Sequence, residues 1–172
     1  MNAALKEEVR SMCALIDSAG DIADVEDMSC AARIEMAKYL MYLSASDGEI
    51  KLSEAAVISE VLDFGVDTQW ISSFIREHNV YSVDFENTCP PVFMLLVILD
   101  NDRYSKGTSG RCAASEMMLE LYKKLGVELL LSDGRPDDKE KADFGIFIGM
   151  LNQYLNDNLL SRNAGTKVNF TK

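Results

Sequence analysis

Ser-Asp-Gly, five intervening residues and then Glu occur twice in this chain, as SDGEIKLSE at residues 46–54 and SDGRPDDKE at residues 132–140. Each copy follows a long apolar stretch, MAKYLMYLSA or LYKKLGVELLL, and precedes another, AAVISEVL or ADFGIFIGML. Two occurrences in one helix-turn-helix context point to an internal duplication or a shared structural requirement. A chain patterned this way is committed to helices that reverse at matched corners. Gly48 and Gly134 suit the positive φ that ends a helix, and Asp47 and Asp133 can hydrogen-bond the turn backbone. In the second copy Asp137 and Glu140 have capping-box spacing, with Asp in the N-cap place of Ser or Thr. The same place in the first copy is Lys51, an ammonium that cannot accept a backbone N–H. Ser53 is therefore expected to cap instead and to start that helix later. Ile50 is expected to tuck into the core, and its counterpart is Pro136.

Asp47, Gly48, Ile50 and Glu54 also have the order and spacing of the second half of an EF-hand loop. Positions 1 and 3 of that loop would need oxygen ligands and are apolar in both copies: Leu43 and Ala45, Leu129 and Leu131. A turn-and-cap role explains Asp-Gly and Glu without an ion, and the apolar positions are expected to point into a core. The competing reading is a divalent-cation site. If the repeat is a true twofold, Asp47, Glu49, Glu54, Asp133, Asp137, Asp138 and Glu140 would converge as hard oxygen ligands.

The rest of the chain reads as helix. Residues 3–17 place Leu5, Val9, Met12 and Ile16 on one face, and SAGDIADVED then breaks the pattern. Ser29 is the expected cap of a second helix to about Ser46, apolar on most sides (Ile34, Met36, Leu40, Met41, Leu43) and therefore central. Val57, Ile58, Val61 and Leu62 form a short helix stopped at Gly65. Asp67 caps the next, with Trp70, Ile71, Phe74 and Ile75 inward. Pro90 and Pro91 open a helix through Leu99. NDRYSKGTSGR is the loosest stretch and the expected connection between halves. Ala114, Met117, Met118, Leu121, Tyr122, Leu125 and Leu129 then follow the i, i+3, i+4, i+7 pattern, and Phe144, Phe147, Ile148, Leu151, Tyr154 and Leu155 repeat it. The fold class is all-α, about seven helices, as two pseudo-twofold helix-turn-helix halves sharing one core. Residues 1–160 are expected to form a single domain with repeats at 29–65 and 109–160, and 161–172 a polar tail or linker.

Charge excludes several function classes. Seventeen basic against 28 acidic residues give a net charge of −11, which repels phosphate backbones and anionic lipid headgroups. No apolar run approaches the ~20 residues of a membrane span, and the N-terminus has no signal core. The four cysteines (Cys13, Cys30, Cys89, Cys112) show no paired spacing, Cys13 and Cys112 sit in helix-like apolar segments, and His78 is the single histidine. The expectation is a reduced, cytoplasmic protein without a zinc site. KGTSGR lacks the order of a phosphate-binding loop. GIFIG, Gly145 to Gly149, is expected to serve close internal helix packing. His78 is expected to be a solvated helix-end cation. No Ser, Cys and His grouping suggests a nucleophile, and no cofactor is expected.

A long apolar helix, Ser-Asp-Gly-Glu-Ile, and a helix opening with Glu resemble the TerB-like domains, named for tellurite resistance and found at the N-terminus of a DnaJ-like co-chaperone. The resemblance covers Tyr39 to Leu62, and more loosely Leu119 to Leu151. It implies an all-helical fold with pseudo-twofold halves and a preference for divalent cations at an acidic patch. Lys51 and Arg135-Pro136 depart from the pattern. The C-terminal half is also similar to N-terminal regions that precede AAA+ ATPase modules in some bacterial proteins. The resulting expectation is a non-enzymatic acidic helical module that binds or regulates a protein partner or a covalently linked downstream domain. Its alternative is a cation-binding stress-response protein.

Overall fold

The computed structural model describes residues 1, 3–23, 27–46, 50–63, 65, 67–77, 88–108, 112–132, 134 and 136–163. Among these the chain is all-helical, with eight helices and no strand: α1 (Ala3–Ala23), α2 (Met28–Ser44), α3 (Leu52–Leu62), α4 (Thr68–Glu77), α5 (Pro91–Ser105), α6 (Ala114–Leu130), α7 (Asp138–Asn158) and α8 (Leu160–Asn163). The eighth is a short turn of helix that the apolar pattern does not announce.

Leu5, Val9, Met12 and Ile16 bury the inner face of α1. The helix continues to Ala23 instead of stopping near residue 17, because nothing in SAGDIA removes a backbone donor as a proline would. Ser29 lies inside α2 and is not its cap. Its N–H donates to Asp17 Oδ1 of α1 at 3.1 Å, while the N-cap residue Asp27 is left-handed at φ 53°. Helix α2 is central as its composition requires, with Met36, Tyr39, Leu40, Met41 and Leu43 wholly buried and packed among α1, α3, α5, α6 and α7. Ile34 is the part of its apolar surface that stays outside.

Helix α3 starts directly after Lys51, so Ser53 is not the cap. It ends at a left-handed Asp63 (φ 64°) and not at Gly65, which lies exposed beyond it. Asp tolerates this conformation because its short polar side chain bonds locally. Arg33 Nη1 of α2 donates to Val61 O at 2.8 Å, taking up one of the carbonyls that α3 leaves open. Asp67 Oδ1 accepts from Trp70 N at 2.7 Å and caps α4 as expected. Ile71 is buried, whereas Trp70 stacks on Phe74 and keeps an exposed edge. The side chain of Ile75, all of His78 and residues 79–87 lie outside the described residues.

Helix α5 runs six residues past the expected end at Leu99, into NDRYS. Asp100 opens this extension. Its buried carboxylate accepts from Ala114 N (3.1 Å), Ser115 N (2.8 Å) and Ser115 Oγ (2.7 Å), so α5 supplies the cap of α6. The C-terminal tail also departs from expectation at its start. Arg162 Nε donates to Glu116 Oε1 at 2.9 Å, and Asn101 bonds both Asn158 O and Leu160 N, which docks α8 on α5 and α6. Residues 164–172 lie outside the described set.

The interior is aromatic where α2, α5, α6 and α7 meet. Tyr39 stacks on Phe147 with ring centroids 4.2 Å apart and meets Tyr122 edge-on at 5.3 Å. Such pairs add to the apolar area they bury. Gly126 makes room for this: a Cβ there would overlap Tyr39 Oη and come within 2.6 Å of the Phe144 ring. All four cysteines are free. Cys13 and Cys89 are buried, and Cys30 and Cys112 are exposed, Cys112 preceding α6 and not lying in its apolar stripe. No described helix is long and apolar enough to cross a membrane.

Candidate functional site

The two Ser-Asp-Gly segments form the α2–α3 and α6–α7 corners, and their described backbone closes in the same way. In the first, Ala45 N donates to Met41 O and Ser46 N to Leu43 O, both at 3.1 Å. In the second, Leu131 N donates to Val127 O at 3.0 Å and Ser132 N to Leu129 O at 2.9 Å, at the corresponding positions. Gly134 has φ +84°, the left-handed conformation for which glycine is suited. Both following helices then begin from an extended residue, Lys51 (φ −86°, ψ 154°) or Asp137 (φ −67°, ψ 154°).

The glutamate that closes each motif reaches back to this residue. Glu54 Oε2 accepts from Lys51 N and Glu140 Oε2 from Asp137 N, each at 2.8 Å. Both carboxylates are buried, 2% and 3% exposed, a cost met by hydrogen bonding to an otherwise orphaned N–H and by the positive end of the helix dipole. Asp137 completes its box by accepting from Lys139 N at 2.7 Å. An ammonium has no lone pair to offer, so at the first corner the glutamate half alone is the carboxylate–amide bond.

Of the candidate cation ligands, Glu54, Asp137 and Glu140 are therefore engaged as caps. Asp138 is exposed and pairs with Lys141 at 2.8 Å, a hydrogen bond that lowers its pKa below the usual carboxylate range. Asp47, Gly48, Glu49 and Asp133 lie outside the described residues. Among the described residues, no three His, Cys, Asp or Glu side chains come together in a set that could hold a metal ion. Leu43, Ala45 and Leu129 point into the core as expected. Leu131 does not: it is 61% exposed. Ile50 is partly buried against the core.

The corners are joined by a contact that no motif foretells. Lys139 Nζ, on the first turn of α7, donates to the carbonyl of Ser46 at 2.5 Å. The same region holds two buried hydroxyls at equivalent positions, Ser46 Oγ and Ser132 Oγ, without a hydrogen-bond partner. At the N-terminus of α3, Leu52 stands 80% exposed. The surface that includes both corners thus combines exposed leucines with the solvated carboxylates of Asp137 and Asp138. GIFIG does not do what its spacing suggests: Gly145 and Gly149 are exposed and face open space, so they do not mediate internal packing.

Sequence reasoning also missed the carboxylates that cap helices from a distance, Asp17, Glu35 and Asp100. Each acts on a helix other than its own, and a one-dimensional pattern carries no signal for that. Compared with protein-family models, curated proteins and solved structures, the chain matches none.

Proposed function

We propose that this chain is a non-catalytic, acidic helical module that binds or regulates a protein partner through the end of the bundle bearing its two Ser-Asp-Gly corners. The carrying observation is the exposure of Leu52 and Leu131 beside those corners, in a chain of net charge −11. A partner segment that is basic and amphipathic matches both features, its apolar face meeting the leucines and its cations the carboxylates. The repeated Ser-Asp-Gly motif and the TerB-like resemblance support a scaffold built from two related hairpins. Attachment to a downstream module such as an AAA+ ATPase belongs to the same reading, and the reading frame beyond Lys172 tests it.

The test is an amide-shift titration with a designed Lys/Leu amphipathic helix and an acidic helix as control. Shifts centred on Leu52 and Leu131, abolished in a Leu52→Ser/Leu131→Ser variant of unchanged helicity, are expected with the basic helix alone. Shifts scattered over the surface, or none at millimolar peptide, overturn it.

A second reading, divalent-cation binding at the corners, is favoured by the two orphaned serine hydroxyls beside the Asp-Gly segments. Calorimetry and melting with calcium, magnesium and zinc decide it: no heat and no shift in Tm at millimolar metal removes it.

A further inference from the structure

Helix α6 buries most of its surface, and what it leaves outside follows a pattern. Its exposed residues are Met117, Glu120, Lys124 and Val127. The intervals are three, four and three, so they form one stripe at the heptad spacing of a helix that pairs with another helix. The stripe is also a palindrome about position 122: apolar, acidic, basic, apolar. Met117, which its period along the chain places with the core, is 42% exposed, and Val127 is 45% exposed. Two hollows lie between this stripe and α1. One, of about 440 Å³, is lined by Met117 and Leu121 with Ala4, Glu8 and Met12. The other, of about 390 Å³, is lined by Val127 and Lys124 with Leu5, Glu8 and Glu128. Glu8 lines both, and its Oε2 accepts from Lys124 Nζ at 2.5 Å, while Glu120 Oε1 accepts from Lys123 Nζ at 2.6 Å. Two acids and two bases therefore balance on this strip, in a chain of net charge −11. A second copy meets less repulsion here than over an average stretch of so acidic a surface.

We propose that the α6 stripe is a self-association surface, on which a second copy of this chain lays its own α6 antiparallel about a twofold axis at position 122. A twofold pairs residue i with j and j with i. In this register Met117 faces Val127 of the second copy and Glu120 faces its Lys124, each pair occurring twice. The hollow beside Met117 takes Val127 of the second copy, and the hollow beside Val127 takes its Met117. A parallel pairing would instead set Glu120 on Glu120 and Lys124 on Lys124, like on like. The apolar ends supply the burial, and the exposed ion pairs fix the register more than they add affinity. The helix rises about 15 Å from Met117 to Val127. A contact of this length belongs with the weak interfaces that bury less than about 1,200 Å², so the dimer forms only in concentrated protein. The inference is independent of the partner surface at the corners, because Leu131 lies beyond the last paired position and Leu52 belongs to another helix.

Sedimentation velocity of the full chain at rising concentration, up to about 1 mM, reads the association. Wild type is expected to pass from monomer to dimer. A chain monomeric throughout overturns the proposal and leaves the hollows to a ligand or another protein. Glu120→Lys and Lys124→Glu, each checked for wild-type helicity, are each expected to weaken association at least about tenfold, because like charges then meet on both sides of the axis. An equimolar mixture of the two variants sets opposite charges across the axis again and is expected to recover the dimer. Loss of a role within one chain's own fold is not rescued by mixing. Single variants that dimerise like wild type, or a mixture that stays monomeric, overturn the proposal. Should either variant fail to fold, a mixed sample of labelled and unlabelled wild-type chain decides. NOEs between the Met117 methyl of one copy and the Val127 methyls of the other sustain the antiparallel register, and their absence in the dimer removes it.

Discussion

At the α2–α3 corner the residue before the helix is Lys51, and the residue closing α2, Ala45, is buried; at the α6–α7 corner these places belong to Asp137 and to exposed Leu131. The hydrogen bonds around them are nevertheless the same, with a buried glutamate three residues on taking the N–H of the capping residue in each case. The difference teaches which part of the motif the fold requires. The N-cap side chain can be lost because the glutamate alone satisfies one amide and places a negative charge at the helix start. The second corner has a surplus: Asp137 caps Lys139 N, Asp138 adds a second carboxylate, and the Lys139 side chain bonds the first corner's Ser46 carbonyl.

That asymmetry can be attacked at four positions, each read by urea unfolding. Glu54→Ala removes the single acidic residue of α3's first turn and orphans Lys51 N, for an expected loss of about 2 kcal/mol. Glu140→Ala leaves Asp137 and Asp138 in place and is expected to cost about 1 kcal/mol. Equal losses would mean that Asp137 adds nothing at its corner. Next, Gly134→Ala forces a Cβ into the left-handed region at φ +84° and should cost about 1 kcal/mol. No neighbouring atom lies within 4 Å of that Cβ, so the loss isolates backbone strain, and an unchanged midpoint would remove glycine's conformational role there. The smallest effect is a gain. Lys51→Asp installs the missing acceptor before α3 and is expected to stabilise by about 0.5 kcal/mol. A loss would show that Lys51 serves its corner in another way.

Much of the fold was legible because it depends on neighbours along the chain. The stripes of α1, α2, α6 and α7, the Asp67 cap and the Asp137–Glu140 box all follow from spacings of three and four residues. Part of the corner was legible for the same reason, since Gly134 and both glutamates act within their own turn. The overestimates are instructive. Leu131 reads as interior from its residue type, and Gly145 and Gly149 from their GxxxG spacing; both are exposed, because neither type nor spacing says which face a neighbouring helix covers. The underestimate of α5 has a different source: NDRYS is polar and reads as loop, while the bonds made from this end of the helix, Asp100 to Ser115 N and Asn101 to Leu160 N, join partners far apart in the chain.

What the sequence determined by itself is an all-helical chain, acidic, cornered twice by one motif. Those properties rest on composition and on local period, which folding does not alter. The tertiary structure alone decided that Asp17, Glu35 and Asp100 cap helices other than their own, and that Lys139 reaches from α7 to the α2–α3 corner. It also decided that Gly126 must stay small beneath Tyr39. The physical reason is common to all of them. A buried donor, acceptor or close approach is satisfied by whatever packing brings near, and the chain distance between the partners leaves no periodic trace.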